Sequence, residues 1–190
     1  NSNPHIAFGN NLFILFFEGS RDVLYSSDGG DNWVRTENAL PSTGYTAIGF
    51  GRNKFVAVKS GSTEAATSTN GITWTTITMP SSATWTDVAY GQNRHLVIAT
   101  NGSSCYSLDD GANWSAVSLP TGSDYSSIAY GQGNFVATRS GSSTYAYSTH
   151  ESLDVLYKEL NEYIDEFMET LLGKDESRIP NFKKNIELFN

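Results

Sequence analysis

Apolar residues come in short runs over the first 149 positions, the longest being the six from Leu12 to Phe17, and polar, glycine-rich turns separate them. The runs recur. Ile6-Ala7-Phe8-Gly9, Ile48-Gly49-Phe50-Gly51, Val88-Ala89-Tyr90-Gly91 and Ile128-Ala129-Tyr130-Gly131 follow one another at spacings of 42, 40 and 40 residues. Behind each comes a second run: residues 12–17, 55–58, 96–99 and 135–138. Short β-branched and aromatic runs bounded by turn formers predict strands, and a period near forty residues predicts a repeat architecture in which each unit buries its apolar face on the next.

A third segment of each unit leads through a turn to a tryptophan. The turns are Ser26-Ser27-Asp28-Gly29-Gly30-Asp31-Asn32-Trp33, Ser68-Thr69-Asn70-Gly71-Ile72-Thr73-Trp74 and Ser107-Leu108-Asp109-Asp110-Gly111-Ala112-Asn113-Trp114. In this pattern the carboxylate or amide accepts backbone N–H bonds, glycine supplies positive φ, and tryptophan plugs an apolar slot. Leu40-Pro41, Met79-Pro80 and Leu119-Pro120 follow, where proline is expected to end one unit before the next begins. Each unit therefore predicts four short antiparallel strands. The last is incomplete: Ser148-Thr149 opens a fourth turn, but His150 stands where Asp is expected and no tryptophan follows.

Beyond that point the period changes from strand to helix. Leu153, Leu156, Tyr157, Leu160, Ile164, Phe167, Met168, Leu171 and Leu172 keep the spacing of an amphipathic helix, predicted over 151–172 and stopped by Gly173. Phe182, Ile186 and Phe189 suggest a short second helix over 181–189. Charge follows the same division, with 17 charged side chains in residues 1–149 and 15 in residues 150–190. The domains predicted are thus a repeat region, 1–149, and a helical segment, 150–190. A helix of twenty residues is roughly 30 Å long, and its apolar stripe needs a partner.

The turn motifs resemble the Asp boxes of sialidase-type β-propellers: Ser26, Asp28, Gly30 and Trp33 match in full, as do Ser107, Asp109, Gly111 and Trp114. The second box, Ser68, Asn70, Gly71 and Trp74, departs by its Asn. The resemblance implies a mainly β fold, a β-propeller-like array of four short antiparallel blades followed by a C-terminal amphipathic α-helix. A sialidase would add three arginines converging on a carboxylate. Arg21, Arg35, Arg52, Arg94 and Arg139 share no repeat position, and Arg178-Ile179-Pro180, which spells the family's Arg-Ile-Pro motif, lies after the helix rather than before the boxes.

The segment from His150 to Glu169 resembles the second helix of ferritin-like, starvation-induced DNA-protecting proteins. That resemblance implies iron ligation by His150, Asp165 and Glu169. Fifteen residues of helix put His150 about 22 Å from Asp165, so the trio requires a partner helix. Asp165 and Glu169 read equally as the solvated side of an acidic helix.

Composition narrows the chemistry. A net charge of −8 and a pI of about 4.7 oppose a phosphate backbone, so no nucleic acid partner is expected. Six apolar residues in a row fall far short of a membrane-spanning helix, so no membrane insertion is expected. Cys105 is the only cysteine, which excludes an intrachain disulfide and a four-cysteine zinc site. Tyr45, Trp85 and Tyr125 each stand three residues before an inner apolar run. They either fill contacts between blades or form a ring of sugar-stacking platforms.

The reading that follows is a binding or structural component of a bacteriophage virion, a tail-fibre or surface-decoration protein. Its blades contact host-surface glycan, and its helix mediates assembly as a homo-oligomer or with other virion proteins. Virion surface or extracellular placement is expected, with no cofactor and no catalytic residue. The alternatives are a sialidase-like carbohydrate hydrolase and a ferritin-like iron-binding protein.

Overall fold

A computed structural model describes residues 3–119, 124–139 and 147–148, all within one unit, Asn1–Ser148. The expected helices over 151–172 and 181–189 lie outside the described residues, as do His150, Asp165, Glu169 and Arg178. Among the described residues no helix is long and apolar enough to cross a membrane.

The strands form four separate antiparallel sheets, each a meander in chain order. Blade one holds β1 (Pro4–Gly9), β2 (Leu12–Phe17), β3 (Val23–Ser26) and β4 (Val34–Thr36). Blade two holds β5 (Tyr45–Gly51), β6 (Lys54–Lys59), β7 (Ser62–Ser68) and β8 (Thr75–Ala83). Blade three holds β9 (Trp85–Gly91), β10 (Arg94–Ala99), β11 (Ser103–Ser107) and β12 (Ser115–Ser118). Blade four shows β13 (Tyr125–Gly131), β14 (Asn134–Arg139) and β15 (Tyr147–Ser148). Their first strands lie side by side, β1 with β5, β5 with β9 and β9 with β13, which makes them the inner strands of a propeller-like array.

The first hairpin of every blade turns on two residues at positive φ, as the twist of type I′ turns requires. These are Asn10 and Asn11, Arg52 and Asn53, Gln92 and Asn93, and Gln132 and Gly133. Pairing across the hairpin matches Phe8 with Phe13, Phe50 with Phe55, Tyr90 with His95 and Tyr130 with Phe135. In all four the ring centroids stand 4.6–4.9 Å apart. Blade three thus uses a histidine where the others use phenylalanine.

Among the described residues the apolar side chains gather in three clusters, one at each joint between blades, rather than in a single core. Ile14, Phe16, Leu40, Ile48 and Phe55 fill the first, Val56, Met79, Val88 and Val97 the second, and Leu96, Ile98, Ile128 and Phe135 the third. Two details differ from the sequence expectation. Pro80 does not end its unit, because β8 runs on to Ala83 through a register shift opposite Ser62 and Glu64; an outer edge strand with a bulge tolerates the missing N–H. Trp33 is 37% exposed rather than plugged into a slot, while Trp74 is 8% exposed.

Candidate functional site

The two Ser-x-Asp turns share one hydrogen-bond scheme, and the Ser-x-Asn turn between them follows it closely. Ser26 Oγ donates to Asp28 Oδ1 at 2.7 Å and accepts from Gly30 N at 2.9 Å; Asp28 accepts from Asn32 N at 3.0 Å and from Asn32 Nδ2 at 2.8 Å. Ser107, Asp109, Gly111 and Asn113 repeat this. At the second turn Asn70 Oδ1 accepts from Ile72 N and Thr73 N at 2.9 and 2.8 Å, so a neutral amide performs the same task. Each tryptophan indole donates to a turn glycine, Trp33 to Gly30 O, Trp74 to Gly71 O and Trp114 to Gly111 O, all at 3.0 Å. The donors around them hold Asp28 and Asp109 down to about 2. With their acceptors engaged inside their own turns, these residues hold the turns in shape.

Tyr45, Trp85 and Tyr125 begin the inner strands of blades two, three and four and are 1%, 1% and 0% exposed. Their rings fill the joints. Trp85 Nε1 donates to Ser62 O at 3.1 Å, Tyr45 Oη donates to Glu64 Oε1 at 2.8 Å, and the Arg139 guanidinium stands 5.8 Å from the Tyr125 ring centroid. Burial and the neighbouring Glu64 carboxylate push the Tyr45 hydroxyl well above its usual range. A sugar platform needs an open ring face, and these rings present none in this chain.

The residue after each ring is the one that reaches open space. Thr46, Thr86 and Ser126 sit at the head of the inner strands and line a recess of about 310 Å³ with Ser60, Thr84 and Thr100. Glu18, Asp124, Trp85 and Tyr125 also line it, the last two with almost no exposed surface. A second recess of about 280 Å³ lies against the inner strands, bordered by His5, Asp87 and Ser126. Thr46 Oγ1 donates to Trp85 O at 2.8 Å and Thr86 Oγ1 to Tyr125 O at 3.1 Å, so these hydroxyls also stitch neighbouring blades. The Asp87 carboxylate is committed to Val88 N, Ser127 Oγ and Ile128 N at 2.8–2.9 Å. Glu18 Oε1 lies 3.3 Å from His5 Nε2 and 3.2 Å from Asn3 Nδ2.

Other reactive groups are placed elsewhere. Arg21 donates to Leu40 O, Arg35 pairs with Asp22, Arg52 lies 3.7 Å from Asp110, and Arg94 faces the Tyr106 ring. Cys105 is buried, which pushes its thiol up to about 12. Among the described residues no group of three His, Cys, Asp or Glu side chains is arranged to hold a metal ion. The recess residues escaped the sequence reading because hydroxyls at strand starts and in turns look ordinary. Their signal was positional: they repeat one residue after Tyr45, Trp85 and Tyr125.

Meandering sheets set side by side through their first strands, with recesses between those strands, define a β-propeller domain. Residues 3–132 match the family described as the DUF6242 beta propeller domain, and the chain belongs to that family. No curated protein is significantly similar in sequence. Among solved structures, a virginiamycin B lyase from Staphylococcus aureus, crystallised with quinupristin, is similar at TM-score 0.60 and 14% identity, covering 73% of this chain and 49% of the lyase. The computationally designed Ika4 protein is similar at TM-score 0.55 and 12% identity, over 76% of this chain and 89% of Ika4. YCF48 from Cyanidioschyzon merolae is similar at TM-score 0.51 and 19% identity, over 74% and 52%. The chain spans about half the length of the lyase. At these identities the likeness is one of fold.

Proposed function

We propose that the chain is a non-catalytic binding module whose inner-strand recess takes a neutral, polyhydroxylated ligand such as a glycan. The observation that carries this reading is the hydroxyl lining: Thr46, Ser60, Thr84, Thr86, Thr100 and Ser126 converge on one recess of about 310 Å³. Hydroxyls both donate and accept, and Thr46, Thr86 and Ser126, whose protons go to backbone carbonyls, keep lone pairs for sugar hydroxyls without fixing a charge. Glu18 and Asp124 in the lining, and a net charge of −8, oppose an anionic ligand. This moves the glycan contact from the buried rings of Tyr45, Trp85 and Tyr125 to the residues beside them.

In the same reading the Ser-x-Asp turns are Asp boxes, supported by their common hydrogen-bond scheme. The setting is a surface that meets glycan, a virion tail fibre or decoration protein, with residues 150–190 serving assembly.

Calorimetric titration with neutral and sialylated oligosaccharides tests the reading. Neutral sugar is expected to bind, and Ser60→Ala with Thr100→Val is expected to weaken it about tenfold, the worth of one or two hydrogen bonds, at an unchanged melting temperature. Binding of sialylated sugar alone, or neutral binding indifferent to the double variant, would overturn it.

A further inference from the structure

Every joint between neighbouring blades repeats one fitting. Phe50, Tyr90 and Tyr130, next to last in β5, β9 and β13, lay their rings on Gly9, Gly51 and Gly91, the glycines that end the preceding inner strands. The approach is so close that a methyl group on any of these glycines would fall inside the ring. None of the three stands at positive φ, so glycine is needed there for space. A second fitting lies further out. Ile14 presses on Gly71 in the turn of blade two, and Val56 Cγ2 would stand 3.6 Å from a Cβ at Gly111 in the turn of blade three.

The ends of the array carry the unmatched halves of both fittings. Gly131, which ends β13, is exposed and meets nothing within 4 Å among the described residues. Phe8, the counterpart of the three locking rings, is 56% exposed. Ile6 is 54% exposed, whereas its counterparts Ile48, Val88 and Ile128 are 8%, 5% and 6% exposed. In the turn of blade one, Gly30 meets only its own Trp33, and Val136, which holds the place of Ile14 and Val56, is half-buried.

We propose that the blade-four face of one copy of this chain receives the blade-one face of a second copy. Phe8 of each copy seats on Gly131 of the other, and Val136 of each meets the other's Gly30 and Trp33. The occupant is inferred from continuity: the two open faces are the two sides of a joint that the chain already builds three times. An eight-blade ring, with the four described blades of each copy, lies within the usual size range of propellers. The contact is head-to-tail and closes when a two-fold rotation relates the copies. It is independent of the sugar reading, since a ring that assembles and binds no sugar fails only that reading.

Light scattering on the full chain is expected to give about 41 kDa, twice 20.7 kDa. Gly131→Leu, at an exposed position that leaves the internal joints untouched, is expected to raise the dimer dissociation constant about 100-fold, as loss of a central aromatic pocket does. Mixing Phe8→Cys chains with Gly131→Cys chains under mild oxidation is expected to give a covalent pair. Buried Cys105 stays out of the exchange, and Gly91→Cys with Tyr130→Cys in one chain calibrates the cross-link. A monomer of wild type, a dimer indifferent to Gly131→Leu, a ladder of longer polymers, or an intrachain link in the Phe8→Cys/Gly131→Cys double variant would each overturn the proposal.

Discussion

Trp33 and Trp74 occupy the same place in the same turn, with the same 3.0 Å indole bond to a glycine carbonyl, yet one is 37% exposed and the other 8%. Ile6 and Ile48 repeat the contrast on the inner strand, at 54% and 8%. The local motif is therefore complete in blade one without any neighbour, and its burial in blade two comes from blade one. A tryptophan in this motif does two separable jobs: the indole N–H closes the turn, and the ring fills a joint only where a preceding blade supplies one.

The largest effect that separates these jobs is expected at Trp74. Trp74→Ala should cost about 3–5 kcal/mol, as for other buried aromatics, while Trp33→Ala in the Gly131→Leu background should cost only about 1 kcal/mol, the worth of its hydrogen bond. Urea denaturation measures both. Equal losses would mean that the turn, and not the joint, sets the stability of the motif.

The next effect concerns the aromatic pair inside each hairpin, where His95 takes the place of Phe55. The His95 ring is buried, and burial lowers its pKa from 6.5 to about 4 against the opposing pull of the Asp110 carboxylate and the Lys54 backbone. Because the unfolded chain takes up this proton near pH 6.5 and the folded chain only near pH 4, stability is full above 6.5 and falls as pH drops between them, by about 3 kcal/mol. His95→Phe should abolish that slope and raise stability at neutral pH by replacing a buried polar ring with an apolar one. Denaturation curves from pH 7 to pH 4 read it out, and an unchanged slope in the variant would assign the acid lability elsewhere.

The smallest effect is expected in the turns themselves. Asp28 and Asp109 have pKa values lowered to about 2, so their contribution is full above the unfolded value near 3.9 and is lost as pH falls toward 2. Asn70 already does this work without charge. Asp28→Asn with Asp109→Asn should therefore leave the melting temperature at pH 7 within about 3 °C of wild type and flatten the limb between pH 4 and pH 2. A large loss at pH 7 would show that the carboxylate charge, and not the acceptor geometry, holds the turn.

Much of the fold was legible along the chain because a propeller is assembled from nearest neighbours. Repeats of forty residues, runs of alternating strands and turn residues at constant offsets are local signals. The joints were less legible. That Gly9, Gly51 and Gly91 are seats for Phe50, Tyr90 and Tyr130 does not follow from their spacing, because the partners come from the next repeat and their fit depends on how one sheet lies over another. The recess was missed for the same reason: Thr86 is an ordinary strand threonine until β5, β9 and β13 are set side by side.

Sequence alone determined the repeating units and their strand-and-turn content, since the turn bonds among Ser26, Asp28, Ser68, Asn70, Ser107 and Asp109 and their neighbours join residues within a few positions of one another. Tertiary structure alone decided which face of each aromatic is covered. It turned Tyr45, Trp85 and Tyr125 inward, opened Thr46, Thr86 and Ser126 onto a recess, and left Phe8 and Gly131 at opposite ends of the array. The physical reason is that burial belongs to pairs of surfaces, and a surface far away in the chain is not written at either position.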